Sequence, residues 1–184
     1  MRQSLVENLE IVRLHELSDD RRRREHLIWW AQQTQSEKHM VDETHDSLAE
    51  KLIEAFLVLS NEKIVAASGI FPARTKEQKD VFFEEKRVVE LGSNVVSHEW
   101  RNHGIAKILV QKRLEASILN NWFPVSVTTN PSMQNILRKC GGVPMDEDSR
   151  FRELRSILCI CHSYNPECTA CPLQMNGGWV FLND

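Results

Sequence analysis

The chain has a single tyrosine, Tyr164, among 184 residues, and no stretch rich in proline or glycine. It has no internal repeat and no low-complexity linker, which excludes a solenoid or modules strung on a flexible tether. No apolar segment approaches the roughly 20 residues that cross a bilayer, and Met1 to Glu10 holds no apolar run of signal-peptide type. The expected location is therefore the cytoplasm, with no membrane partner. Neither charge sign dominates, since 23 Lys and Arg stand against 26 Asp and Glu for a net charge of −3. That balance gives nucleic acid and anionic membranes no electrostatic reason to bind. Five cysteines make an odd count in a chain without a secretory signal, which argues against a disulfide framework. With 41% hydrophobic and 27% charged residues, the composition is that of a soluble globular protein, and the length suits a single domain over 1–184.

Periodicity along the chain predicts alternating strands and helices. Leu9 to Leu14 reads as a strand, and Asp19-Asp20 as the acidic start of a helix. Arg21 to Arg24 lie beside Asp19, Asp20 and Glu25 and read as a solvated helix face. Leu27, Trp30 and Ala31 form its buried stripe, while Trp29 is open between core edge and substrate contact. A second helix is predicted over Ser47 to Ala55, then strands Phe56 to Ser60 and Lys63 to Ile70 joined at Asn61-Glu62 as a hairpin. Pro72 to Asp80 reads as a surface loop and Arg87 to Val96 as a further strand. Ala106, Val110, Leu114 and Ile118, flanked by Ile105 and Leu109, give a helix with one broad apolar face ending at Asn120-Asn121. Pro124 to Thr128 is a short strand. Asn130 then caps a helix with Pro131 at its first position, Met133, Ile136, Leu137 and Cys140 on one face, and Gly141-Gly142 as its stop. Leu154 to Cys161 is a helix or strand, and Gly178 to Leu182 a terminal strand.

Between the valine-rich strand and the long helix lies Arg101-Asn102-His103-Gly104-Ile105-Ala106. A strand that ends in a polar, glycine-containing turn and opens a helix leaves several backbone N–H groups unpaired, where the helix dipole favours an anion. Gly104 lets the backbone approach such a ligand. The spacing Arg-x-x-Gly-x-Ala resembles the acyl-CoA pyrophosphate loop of the GNAT N-acetyltransferases. The order of elements from Phe56 to Gly142 is similar to that family's core. The resemblance implies an α/β fold, with a mixed, splayed sheet flanked by helices and a small Cys-rich loop near the C-terminus. It also implies acetyl-CoA as co-substrate. The amides of Arg101, Asn102, His103, Gly104, Ile105 and Ala106 would hold its pyrophosphate, and the backbone of Val95 and Val96 its pantetheine arm. Asn130 matches the asparagine that contacts the cofactor arm in many members, or it is an N-cap and nothing more.

Acetyl transfer to an amine needs a neutral nucleophile, a polarised carbonyl and a proton for the leaving thiolate. An amine with pKa near 10 requires a base. By its spacing before Arg101, Glu90 resembles the base glutamate of the histone-acetylating branch; a strand glutamate facing solvent is the plain alternative, and His98 and Glu99 are further candidates. The family's usual acid, a tyrosine seven residues after the asparagine, is replaced by Leu137. The helix-ending glycine is matched by Gly141, but Gly142 stands where a phenylalanine often follows. Water, Tyr164, Cys140 or His162 would have to supply the proton. The expected activity is direct transfer of an acetyl or small acyl group to an amine on a small molecule or protein. A non-catalytic acyl-CoA-binding or protein-interaction module with a degenerate GNAT fold is the alternative. Oligomeric state is open.

Cys159-x-Cys161-His162 and Cys168-x-x-Cys171 bring soft ligands together in two close pairs. Four thiolates suit a closed, structural zinc site on Cys159, Cys161, Cys168 and Cys171; reduced free cysteines, an iron–sulfur cluster or a redox pair are the alternatives. Such a loop, 159–171, would border the acceptor pocket if the family's arrangement of late strands holds here. Cys140 lies on the core face of its helix and reads as packed.

Overall fold

The computed structural model describes residues 9–36, 44–73, 79–151, 154 and 177–182. The described chain is α/β and divides into two compact units, each built from two segments: Met1–Ile70 with Ser93–Arg113, and Phe71–Gly92 with Leu114–Asp184.

In the first unit, β1 (Leu9–Arg13) runs antiparallel to β2 (Glu54–Ser60), and β2 antiparallel to β3 (Lys63–Pro72). The expected hairpin is present. Asn61 and Glu62 both take positive φ, 48° and 64°, the paired left-handed residues whose twist matches that of the flanking strands. β2 is buried from Glu54 to Leu59, as a strand paired on both sides and covered on its faces must be. The carboxylate of buried Glu54 meets His15 Nδ1 at 2.9 Å and Arg13 at 3.8 Å. Helix α1 (Asp20–Ser36) starts where Asp19 Oδ1 accepts from the amides of Arg21 and Arg22. It buries Leu27, Trp30 and Ala31, the stripe read from periodicity, with Trp29 half-buried.

The expected helix over Ser47 to Ala55 is corrected. Helix α2 spans His45–Lys51, with the Thr44 hydroxyl accepting from Ser47 N, and Leu52 is already extended. Residues 54 and 55 pair with Ile70 and Gly69 of β3, so strand pairing overrides local helical character there.

In the second unit, β4 (Phe82–Phe83) forms a hairpin with the start of β5 (Lys86–Val96). Its turn, Glu84-Glu85, has the same two positive φ values, 48° and 64°, although neither residue signals a turn in the sequence. β5 runs parallel to β6 (Trp122–Val127). β6 is antiparallel to β8 (Gly178–Val180), which also pairs with β7 (Val143–Pro144). Val88, Phe123, Val125, Phe151, Leu154 and Val180 form this unit's core, with the Phe83 and Phe123 ring centroids 4.7 Å apart. Helix α4 (Pro131–Lys139) stops at Gly141, whose φ is +89°. Gly142 N donates to Leu137 O and Gly141 N to Arg138 O, the paired bonds of a Schellman C-terminus.

Helix α3 (Ile105–Leu119) contributes to both units, and its buried arc differs from the one read from the sequence. Ile105, Leu109, Val110, Arg113, Ala116 and Ser117 are buried, whereas Ile118 is 56% exposed. At about 100° per residue, Ile118 lies roughly opposite Leu109, while Arg113 falls inside the buried arc. Arg113 is wholly buried because its guanidinium finds backbone acceptors, Nε on Leu109 O and Nη1 on Gly69 O at 3.3 and 3.4 Å. A hydrophobicity pattern cannot register an arginine drawn inward by backbone acceptors.

Candidate active site

The first unit holds the turn and the strand end that feeds it. Within β5, Ser93 takes φ +48°, a left-handed conformation that a straight extended strand cannot contain. Its carbonyl accepts the indole N–H of Trp30 at 2.9 Å. The next side chain, Asn94, donates through Nδ2 to Ala106 O at 3.3 Å and so touches the first turn of α3. Val95 is buried and Val96 half-buried. The Val96 carbonyl accepts from Arg101 Nε at 3.1 Å, and Ser97 is anchored twice on Val65 O, by its amide at 2.8 Å and its hydroxyl at 2.9 Å. A short 3-10 turn, His98–Trp100, follows; His98 and Glu99 are exposed there.

Beyond it the backbone opens. Asn102 has φ +65° and Gly104 φ +80°, and a Cβ built on Gly104 would meet nothing within 4 Å. Helix α3 begins with Lys107 and Ile108 both donating to Gly104 O. Among the described residues, nothing accepts a hydrogen bond from the backbone N–H of Asn102, His103, Gly104, Ile105 or Ala106. A run of unpaired donors at a helix N-terminus, in an exposed turn with alternating left-handed residues, has the geometry that suits an anion. His103 Nδ1 lies 2.8 Å from Arg101 O. A carbonyl can only accept, so Nδ1 is the donor in this contact.

Glu90 and Asn130 lie in the second unit. Glu90 is half-buried and sits opposite Val125 at the last rung of the β5–β6 ladder, although β6 continues to Val127. Past that rung, Ser126 reaches Leu91 O with its hydroxyl at 2.9 Å. A Cβ on Gly92 would stand 3.7 Å from Glu90 Oε1 and 3.2 Å from the Phe71 ring, so the missing side chain lets that ring lie against the strand beside the carboxylate. The Asn130 side chain accepts from Ser132 N and Met133 N at 3.0 and 3.4 Å, so the N-cap is formed. Leu137 is fully buried and Cys140 half-buried. Cys159, Cys161, Cys168, Cys171, His162 and Tyr164 lie outside the described residues. Among the described residues no group of three or more His, Cys, Asp or Glu could hold a metal ion.

Ser93 and its bond to Trp30 have no motif in the sequence. The available signal was Gly92-Ser93-Asn94, three small or polar residues interrupting an otherwise valine-rich strand.

Residues 14–141, more than two thirds of the chain, match the profile of the acetyltransferase (GNAT) family. Several solved structures share the fold. Rv2747 from Mycobacterium tuberculosis, in complex with CoA, superposes with a TM-score of 0.60 at 12% identity, over 88% of this chain and 96% of that one. N-acetylglutamate synthase from Neisseria gonorrhoeae, complexed with coenzyme A and N-acetyl-glutamate, gives 0.59 at 11% identity, over 94% of this chain and 34% of the synthase. Glucosamine-6-phosphate N-acetyltransferase from Arabidopsis thaliana gives 0.53 at 14%, over 73% and 91%. No match was found among curated proteins.

Proposed function

Since the chain belongs to the GNAT family of acetyltransferases, we propose that it moves an acetyl or small acyl group from acyl-CoA to an amine by direct attack in a ternary complex. The observation that carries this reading is the exposed turn with unpaired backbone N–H groups from Asn102 to Ala106, opened by Gly104 at the head of α3. Those donors suit the pyrophosphate of CoA, with Arg101 adding positive charge beside them. The backbone of Val95 and Val96, just before the turn, would bond the pantetheine arm. Asn130 would add a contact to that arm beyond its capping role.

Glu90 would act as base, taking a proton from the acceptor ammonium directly or through water. The freed lone pair attacks the thioester carbonyl, the attacking nitrogen gives up its second proton to water as the tetrahedral intermediate collapses to the amide, and the thiolate departs and takes up a proton from water. A thiol with pKa near 8.5 is a good enough leaving group to be protonated by water. That matters because Leu137, where a tyrosine often stands in relatives, is apolar and wholly buried. The acceptor would be an amine-bearing small molecule or protein; two of the similar structures are named for acetylated glutamate and glucosamine 6-phosphate. A structural zinc on Cys159, Cys161, Cys168 and Cys171 rests on their spacing. Metal analysis of protein purified without supplementation should find close to one equivalent, and a trace amount would remove it.

The test of the acyltransferase reading is thiol release from acetyl-CoA with a panel of amines. Glu90→Gln should lower the rate by about 100-fold or more at neutral pH while leaving CoA affinity unchanged. Full activity of that variant across pH would take the base role away from Glu90. CoA binding without turnover on any amine would favour the binding-module alternative, to which the buried Leu137 lends some support.

A further inference from the structure

The bond between Trp30 and Ser93 has a role that packing alone does not explain. Trp30 is completely buried on α1, and a buried indole N–H must find an acceptor. It finds the carbonyl of Ser93, the one residue of β5 in left-handed backbone. A residue with a Cβ adopts that conformation at a free-energy cost, so the kink persists only where its surroundings hold it. The next residues are held as well, Asn94 on Ala106 O and Ser97 on Val65 O. Ser93 itself is held by the indole. All of these residues belong to the first unit.

We infer that Trp30 is a positioning residue for the pantetheine arm: by pinning the Ser93 carbonyl it fixes the kink of β5 that sets the direction of the Val95 and Val96 backbone. This rests on the proposed acyl-CoA reading, in which those two residues bond the arm. The pyrophosphate turn begins beyond Ser97, which has its own anchor on Val65. Loss of the indole bond therefore weakens the grip on the arm and spares the grip on the nucleotide end.

Trp30→Phe keeps an aromatic ring in the core and removes the donor. Calorimetric titration should show CoA binding weakened about threefold to tenfold, the range expected for one hydrogen bond. Affinity for 3′-phosphoadenosine 5′-diphosphate, which is CoA without the pantetheine arm, should stay unchanged, and the KM for acetyl-CoA should rise with kcat retained. Adding Ser93→Gly should restore most of the lost affinity, because glycine takes a positive φ without the Cβ penalty. Equal weakening for both ligands, or no weakening for either, overturns the inference. If Trp30→Phe does not fold, exchange of the Trp30 indole proton in the unaltered protein serves instead. CoA should slow that exchange several-fold more than saturating 3′-phosphoadenosine 5′-diphosphate, and equal slowing overturns the role. Unaltered protein that binds no CoA would overturn the acyltransferase reading together with this one. CoA binding that is indifferent to Trp30 would overturn only the positioning role.

Discussion

At Gly104 the backbone is left-handed and the space beyond it is empty, so conformation and sterics separate cleanly. A methyl group there meets nothing, and Gly104→Ala tests φ alone. It should cost about 1 kcal/mol of stability in urea unfolding and weaken CoA binding as the turn relaxes. His26 makes a different prediction. Burial is the main reason its imidazole resists protonation, holding it below the ordinary value of 6.5; Arg22 adds to the effect and Glu25 opposes it. The unfolded chain takes up that proton near 6.5 while folded His26 does not, so its contribution to stability is complete above 6.5 and is lost as pH falls below it. His26→Gln should flatten the decline of the urea midpoint from pH 6.5 downward, and an unchanged decline would assign it to other groups. The turn and its unpaired amides were legible in the sequence because both are local properties of consecutive backbone units. Buried Arg113 was not, because its acceptor on Gly69 belongs to a distant element, strand β3.

Among the elements, α4 was read almost completely. Its N-cap, its Pro131 start and its Gly141 stop are each set within a few residues, and the structure shows the corresponding hydrogen bonds. Asn130→Ala should destabilise the protein by about 1 kcal/mol, whereas Asn130→Ser retains the cap. If Asn130 also contacts the cofactor arm, the serine variant will keep its unfolding midpoint and show a raised KM for acetyl-CoA. Unchanged kinetics would leave Asn130 as a cap. The boundary between α2 and β2 was misread because pairing with β3 claims Glu54 and Ala55. Two hairpin turns share one geometry, yet Asn61-Glu62 was legible and Glu84-Glu85 was not. Asparagine tolerates left-handed backbone locally, whereas the second turn is held by the pairing of Phe82 and Phe83 with Arg87 and Lys86.

For the molecule as a whole, cofactor binding and stability are linked. A ligand that binds only the folded chain adds about 2.7 kcal/mol at one hundred times its Kd, so acetyl-CoA should raise the thermal midpoint in a concentration-dependent way. A midpoint indifferent to acetyl-CoA would contradict the proposed co-substrate. The sequence by itself determined the order of strands and helices around the turn, the first hairpin, the caps of α4 and the position of the unpaired amides at the head of α3. Each of these is written in residues a few positions apart, where backbone geometry and side-chain capping act. Only the tertiary structure decided the kink at Ser93, held by a tryptophan 63 residues away, and the burial of Arg113, which reaches an acceptor 44 residues away. Partners so distant along the chain leave no periodicity or spacing to read; they meet because packing brings a buried donor to whichever acceptor lies within its reach.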